Sequence, residues 1–137
     1  MKISQKLEYA CRALAQLAKY HDGRTLTRLD DLAQREAVSA NFLVQILNDL
    51  RRAGLIDSRR GKAGGYLLAR AANLITLRQV VEAVDPALLQ CSVTMDGDSG
   101  QAVRRAWEQI STGLYESLDQ ISVENLASNQ GAPMFYI

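Results

Sequence analysis

Residues 27–70 leave few architectures open. Thr27 stands where it can cap a short helix, with Asp30 and Asp31 near its positive N-terminal end and Leu29, Leu32 and Ala33 on one face up to about Glu36. The connection Ala37-Val38 is long enough only for a tight turn. Ser39 can then cap a longer helix that carries Phe42, Leu43, Ile46, Leu47 and Leu50 as far as Ala53, where Gly54 ends it. Leu55-Ile56-Asp57-Ser58 and Tyr66-Leu67-Leu68 are short, apolar and suited to strands, so the segment between them is the tip of a hairpin. A short helix, a tight turn, a longer helix and an immediate hairpin predict a winged helix-turn-helix.

The hairpin tip suits an anionic surface. Arg59, Arg60 and Lys62 crowd positive charge onto a few residues, while Gly61, Gly64 and Gly65 remove bulk ahead of Tyr66. Net charge is only +1, yet it is unevenly spread: residues 1–70 hold 13 Lys and Arg against 7 Asp and Glu, and residues 71–137 hold 3 against 8. The basic half fits a polyanion. In a winged helix-turn-helix the second helix enters the major groove, which places Ser39, Asn41, Gln45 and Asn48 where Asn and Gln can pair with adenine edges. Arg59, Arg60, Gly61, Lys62, Gly64, Gly65 and Tyr66 are then expected along phosphates and a narrow minor groove, with Thr27 and Arg28 joining the contact set where the first helix of the pair begins.

The rest of the chain brackets this unit. Ile3, Leu7, Ala10, Cys11, Leu14, Leu17 and Ala18 recur at helical spacing up to Tyr20, and His21-Asp22-Gly23 stops the helix. Thr76 opens a capping box with Gln79, and Leu77, Val80, Val81 and Val84 continue a helix that Asp85-Pro86 closes. Val103, Trp107, Ile110, Leu114, Leu118 and Ile121 form an apolar stripe too long for so small a monomeric core, which predicts a dimerisation helix. The expected fold class is mainly α with a small β-hairpin wing. Its parts are a winged helix-turn-helix domain over 1–85, a loop over 86–100, a dimerisation helix region over 101–128 and a C-terminal tail over 129–137.

Other function classes find little support. A single histidine and two cysteines, Cys11 and Cys91, make no metal or disulfide spacing, and no nucleophile has a recognisable base beside it, so an enzyme is not expected. The N-terminus does not read as a signal peptide and no apolar run reaches the ~18 residues of a membrane span, so a cytoplasmic location is expected.

LRRAGLIDSRRGKAGGYLLAR, with YACRALAQLA before it and DLAQREAVSANFLVQIL between, resembles the Rrf-two family of bacterial winged helix-turn-helix regulators over residues 1 to about 85. The shared pattern stands here as Gly54-Leu55, Ser58, Arg60-Gly61, Gly64-Gly65-Tyr66 and Leu68-Ala69. The resemblance implies a homodimer on a palindromic operator in double-stranded DNA. Arg60 would be its wing arginine, and Ser39, Asn41, Phe42 and Gln45 would lie on its recognition helix. Many members hold an iron-sulfur cluster on three cysteines before the long helix, where this chain has Cys91 alone, so no cofactor is expected. Two readings stay open for Cys91: a redox-sensitive thiol or a small apolar side chain.

The closing residues Met134, Phe135, Tyr136 and Ile137 resemble those of the family's cluster-free, CymR-like branch, which represses cysteine and sulfur metabolism and forms a complex with cysteine synthase (O-acetylserine sulfhydrylase). A terminal Ile carboxylate with apolar neighbours suits capture in a pocket, and folding back onto the dimer is the other reading. Three functions follow as expectations: a cysteine-metabolism repressor signalling through cysteine synthase, a thiol-redox regulator using Cys91, and a regulator of iron-sulfur or stress genes.

Overall fold

A computed structural model describes residues 1–128. It is mainly helical with one antiparallel hairpin, as the sequence predicts. Helix α1 (Gln5–Lys19) starts at Ser4, whose hydroxyl accepts the Leu7 N–H at 3.1 Å. Leu7, Ala10, Leu14 and Leu17 on its apolar stripe are buried, and they anchor the core. The helix ends with Tyr20 as its C-cap, just ahead of the expected stop at His21-Asp22-Gly23. Gly23, at φ +81°, instead shapes a turn closed by Asp22, whose carboxylate accepts the Thr25 hydroxyl and the amides of Thr25 and Arg24. Those bonds, the Thr25 hydroxyl foremost, hold the Asp22 carboxyl well below the usual carboxylate range.

Helices α2 (Leu29–Glu36) and α3 (Ala40–Arg52) form the helix-turn-helix. Between them Ala37 sits in the left-handed region at φ +57°, and Val38 donates back to the Ala33 carbonyl to close the turn. Ser39 caps α3 as expected by accepting the Phe42 N–H at 3.1 Å. Gly54, at φ +78°, ends it with Gly54 N–H on the Arg51 carbonyl and Leu55 N–H on the Leu50 carbonyl. Leu43, Ile46, Leu47 and Leu50 face inward and are at most 1% exposed. Strands β1 (Ile56–Arg59) and β2 (Gly65–Leu68) pair with Ile56 opposite Leu68 and Arg59 opposite Gly65.

After a short 3-10 turn at Ala72–Leu74 comes α4 (Leu77–Val84), opened by the Thr76–Gln79 capping box. Pro86–Leu89 forms a second 3-10 turn that buries Leu89. The region 101–128 is not one helix. Helix α5 (Gly100–Asp119) stops before Ile121, and α6 (Val123–Ser128) returns to pack on α1. The break is held by backbone bonds of non-local origin: Leu77 N–H to the Ile121 carbonyl, and Val123 N–H to the Ile75 carbonyl. Val123 is fully buried, so the chain beyond α5 is stitched into the winged half.

Candidate nucleic-acid interface

The wing is tied to the entry of α2. Thr27 and Tyr66 exchange backbone hydrogen bonds at 2.9 and 2.8 Å, which adds one residue of sheet beside β2. Thr27 is therefore 8% exposed and caps nothing; Arg28 takes the N-cap position with no side-chain bond. Both backbone groups of Thr27 are spent in holding the wing. Gly65 lies against that same backbone at φ +153°, where an added Cβ would stand 2.6 Å from the Thr27 carbonyl oxygen. Gly64 is buried, and a Cβ there would overlap the Arg59 carbonyl. Both glycines are thus structural. From the other side Arg28 donates to the Lys62 carbonyl at 2.5 Å and braces the tip.

On α3, Asn41 and Gln45 are exposed on one face, with Asn48 half-buried below them and Ser39 exposed at the cap. Phe42 points elsewhere. Its ring packs edge-on against Tyr9 of α1 at 5.6 Å and is half-buried at the periphery of the core. Between α3, the start of α2 and the wing lies a groove of about 410 Å³ lined by Arg28, Asn48, Arg51, Arg59, Arg60 and Tyr66, with Asp30 as its one carboxylate. Arg28, Arg51, Arg59, Arg60 and Lys62 form no ion pair among the described residues. Uncompensated cations around a concavity raise its local potential and favour a phosphate chain. Arg51 is a contributor that sequence reasoning missed. Its position on the last turn of α3 reads as an ordinary helix-end cation, and only the fold turns that end toward the wing.

The chain matches the Rrf2 family, described as an iron-dependent transcriptional regulator, over residues 3–129. It is 36% identical to the HTH-type transcriptional regulator CymR of Bacillus subtilis, with both chains covered in full. This chain belongs to the Rrf2 family of transcriptional regulators. A second Rrf2 relative, the regulator IscR of Cereibacter sphaeroides, is 34% identical over 97% of this chain and 91% of its own. The solved structure of CymR, the global cysteine regulator of B. subtilis, superposes with a TM-score of 0.82 at 34% identity, covering 95% of this chain and 98% of that one. The oxidized form of Staphylococcus aureus CymR follows the same fold, with a TM-score of 0.75 at 29% identity over 93% and 97% of the two chains.

The Rrf2 description invites a test for iron. The whole sequence has two cysteines and one histidine, and the described residues bring no three His, Cys, Asp or Glu side chains together. Cys11 lies on α1 in the core periphery, and burial pushes its thiol up to about 11. Cys91 is half-buried in the segment that Arg104 pins to α5 by donating to the Val93 carbonyl at 2.9 Å. These donors do not fit a cluster. Of the Rrf2 dimerisation residues expected from the sequence, Val103, Trp107, Ile110 and Ile121 are 40–63% exposed, whereas Leu114 and Leu118 lean on the core. Met134, Phe135, Tyr136 and Ile137 lie outside the described residues. No helix among those described is long and apolar enough to cross a membrane.

Proposed function

We propose that this Rrf2 regulator is a homodimer that binds a palindromic operator and represses genes of cysteine and sulfur metabolism. The observation that carries DNA binding is the cationic groove between α3 and the wing, whose arginines have no carboxylate partner among the described residues. Asn41 and Gln45 would read base edges, while Arg28, Arg51, Arg59, Arg60 and Lys62 would follow phosphates and the minor groove. What supports the cysteine assignment is the full-length likeness to a regulator named for global cysteine control. The poor fit to an iron cluster weighs against an iron-sulfur regulon.

The signal we propose is a complex with cysteine synthase. Its support is the resemblance of residues 134–137 to the CymR-like branch. For such a partner to regulate, it must bind the DNA-competent and DNA-incompetent forms with different affinity.

The test is fluorescence anisotropy of the full chain on promoter fragments of cysteine-uptake and biosynthesis genes from its own organism, titrated over salt, with and without cysteine synthase. Nanomolar binding that outcompetes unrelated DNA and shifts on addition of cysteine synthase supports the whole reading. Specific DNA binding that ignores the enzyme removes the complex. Binding without preference for these promoters removes the cysteine assignment.

A further inference from the structure

The outward side of α3 holds one apolar residue that the fold does not use. Of the seven apolar residues on this helix, Leu43, Ile46, Leu47 and Leu50 are buried, and Ala40 and Phe42 pack against the core. Val44 does neither: it is half-buried and stands outside that cluster. It does not serve the helix either, since a β-branched side chain in a helix interior is less favourable than Ala, Leu or Lys.

The neighbours of Val44 are polar and cationic. At about 100° per residue, Asn41, Asn48 and Arg51 all lie within about 60° of Val44 around the helix. Asn48 and Arg51 line the groove beside the wing, so Val44 stands on the side of α3 that borders that groove. The hydrogen bonds that side chains of this segment make, at Ser39 and between Arg52 and Asp49, leave the amides of Asn41 and Asn48 without a partner among the described residues. An apolar side chain thus has a free amide about one turn away in each direction.

DNA offers a match for that pattern. The apolar feature of a base pair in the major groove is the C5 methyl of thymine, and it lies beside the adenine N6 and N7 groups that an Asn amide grips. Valine suits the methyl, because in a helix its side chain keeps one strongly preferred rotamer and has little freedom to lose on contact. An apolar protein surface is a poorer occupant, since the groove holds Arg28, Arg51, Arg59 and Arg60 against the single carboxylate of Asp30.

We propose that Val44 is a specificity residue that packs on the 5-methyl group of a thymine in the operator, next to an adenine held by Asn41 or Asn48. The assignment rests on the DNA-binding reading above and adds to it which base feature is read and by which side chain.

Selection of the full chain on a random duplex pool yields its preferred site, in which each thymine is then replaced in turn by deoxyuridine, a change that removes only the methyl group. Fluorescence anisotropy at one fixed salt concentration is expected to show a loss of about three- to tenfold at one thymine. Val44→Ala is expected to lose a similar factor on the unmodified site and nothing further when that same thymine becomes uracil, because the methyl has already lost its partner. Val44 lies outside the core, so the variant stays folded, which circular dichroism checks. Parent affinity that ignores every thymine methyl overturns the proposal, as does a uracil penalty that Val44→Ala keeps in full, and both results leave the DNA-binding reading standing. A parent chain that enriches no site overturns the base reading itself, and the role of Val44 with it.

Discussion

Helices α1 and α5 carry apolar stripes of the same spacing and meet opposite fates. On α1, Leu7, Ala10, Leu14 and Leu17 are at most 4% exposed, whereas α5 has no buried residue and shows Trp107 and Ile110 more than half exposed. Periodicity says that a helix has an apolar side; it does not say whether the surface that covers it belongs to the same chain. The difference lies in what surrounds each helix. α1 touches α2, α3, α4, α6 and the hairpin, while α5 leans on α4 and the short turn at Pro86–Leu89. The first stripe stabilises the fold, while most of the second stays exposed among the described residues.

The largest effect expected from that contrast is in stability. Leu14→Ala, at a fully buried position on α1, should cost about 2–5 kcal/mol in urea unfolding. Ile110→Ala should leave monomer stability within about 0.5 kcal/mol and act on the concentration dependence of unfolding instead. Equal losses at the two sites in dilute protein would erase the distinction.

Next is the joint between reading helix and wing. Gly65→Ala has to accept a left-handed φ and a contact with the Thr27 carbonyl, so it should cost about 1–3 kcal/mol and weaken DNA binding with it. Hydrogen exchange at Tyr66, whose amide donates to Thr27, reports directly whether the seam has opened.

A smaller loss is expected at the rim of the groove. Arg60→Ala should lower operator affinity by about tenfold at moderate salt and reduce the slope of log affinity against log salt by about 1, with folding unchanged. Arg28→Ala sharpens the comparison, because it removes both a cation and the brace on the Lys62 carbonyl. It should therefore speed exchange in the wing, which Arg60→Ala should not.

At neutral pH the smallest effect is one that emerges only in alkali. Burial raises the Cys11 thiol from 9.0 to about 11, so the unfolded chain ionises first. Stability from this group is complete below pH 9 and is lost progressively up to about pH 11. Denaturation midpoints across that window, with Cys11→Ala as the control, should show a shallower decline in the variant. At the acid end, the Lys6 ammonium bonded to Asp49, aided by Arg52, holds that carboxyl below its usual range, so its contribution fades as the pH falls into the carboxylate range.

Much of this molecule was legible because its local signals agree with its fold. Ser39, Gly54 and the Thr76–Gln79 box mark helix ends by bonds within a few residues, and the basic hairpin follows from turn chemistry and alternation. The Thr27 cap was a misreading with a non-local cause, because its backbone pairs with Tyr66. The packing of Phe42 on Tyr9, and of Gly64 and Gly65 on the backbone of Arg59 and Thr27, is likewise decided by chain from outside their own elements. Arg51 escaped notice for the converse reason, since nothing within a turn of it shows that the wing lies opposite.

By itself, then, the sequence determined the order of α1 to α4 with the hairpin between them, the basic character of the hairpin tip and the absence of enough thiols for a three-cysteine cluster, all of which follow from residue type and short-range spacing. Tertiary structure alone decided which side chains near the wing brace it and which face outward, and that α5 ends at Asp119 so that α6 can close on α1. Those outcomes depend on where distant backbone passes. No local spacing encodes that.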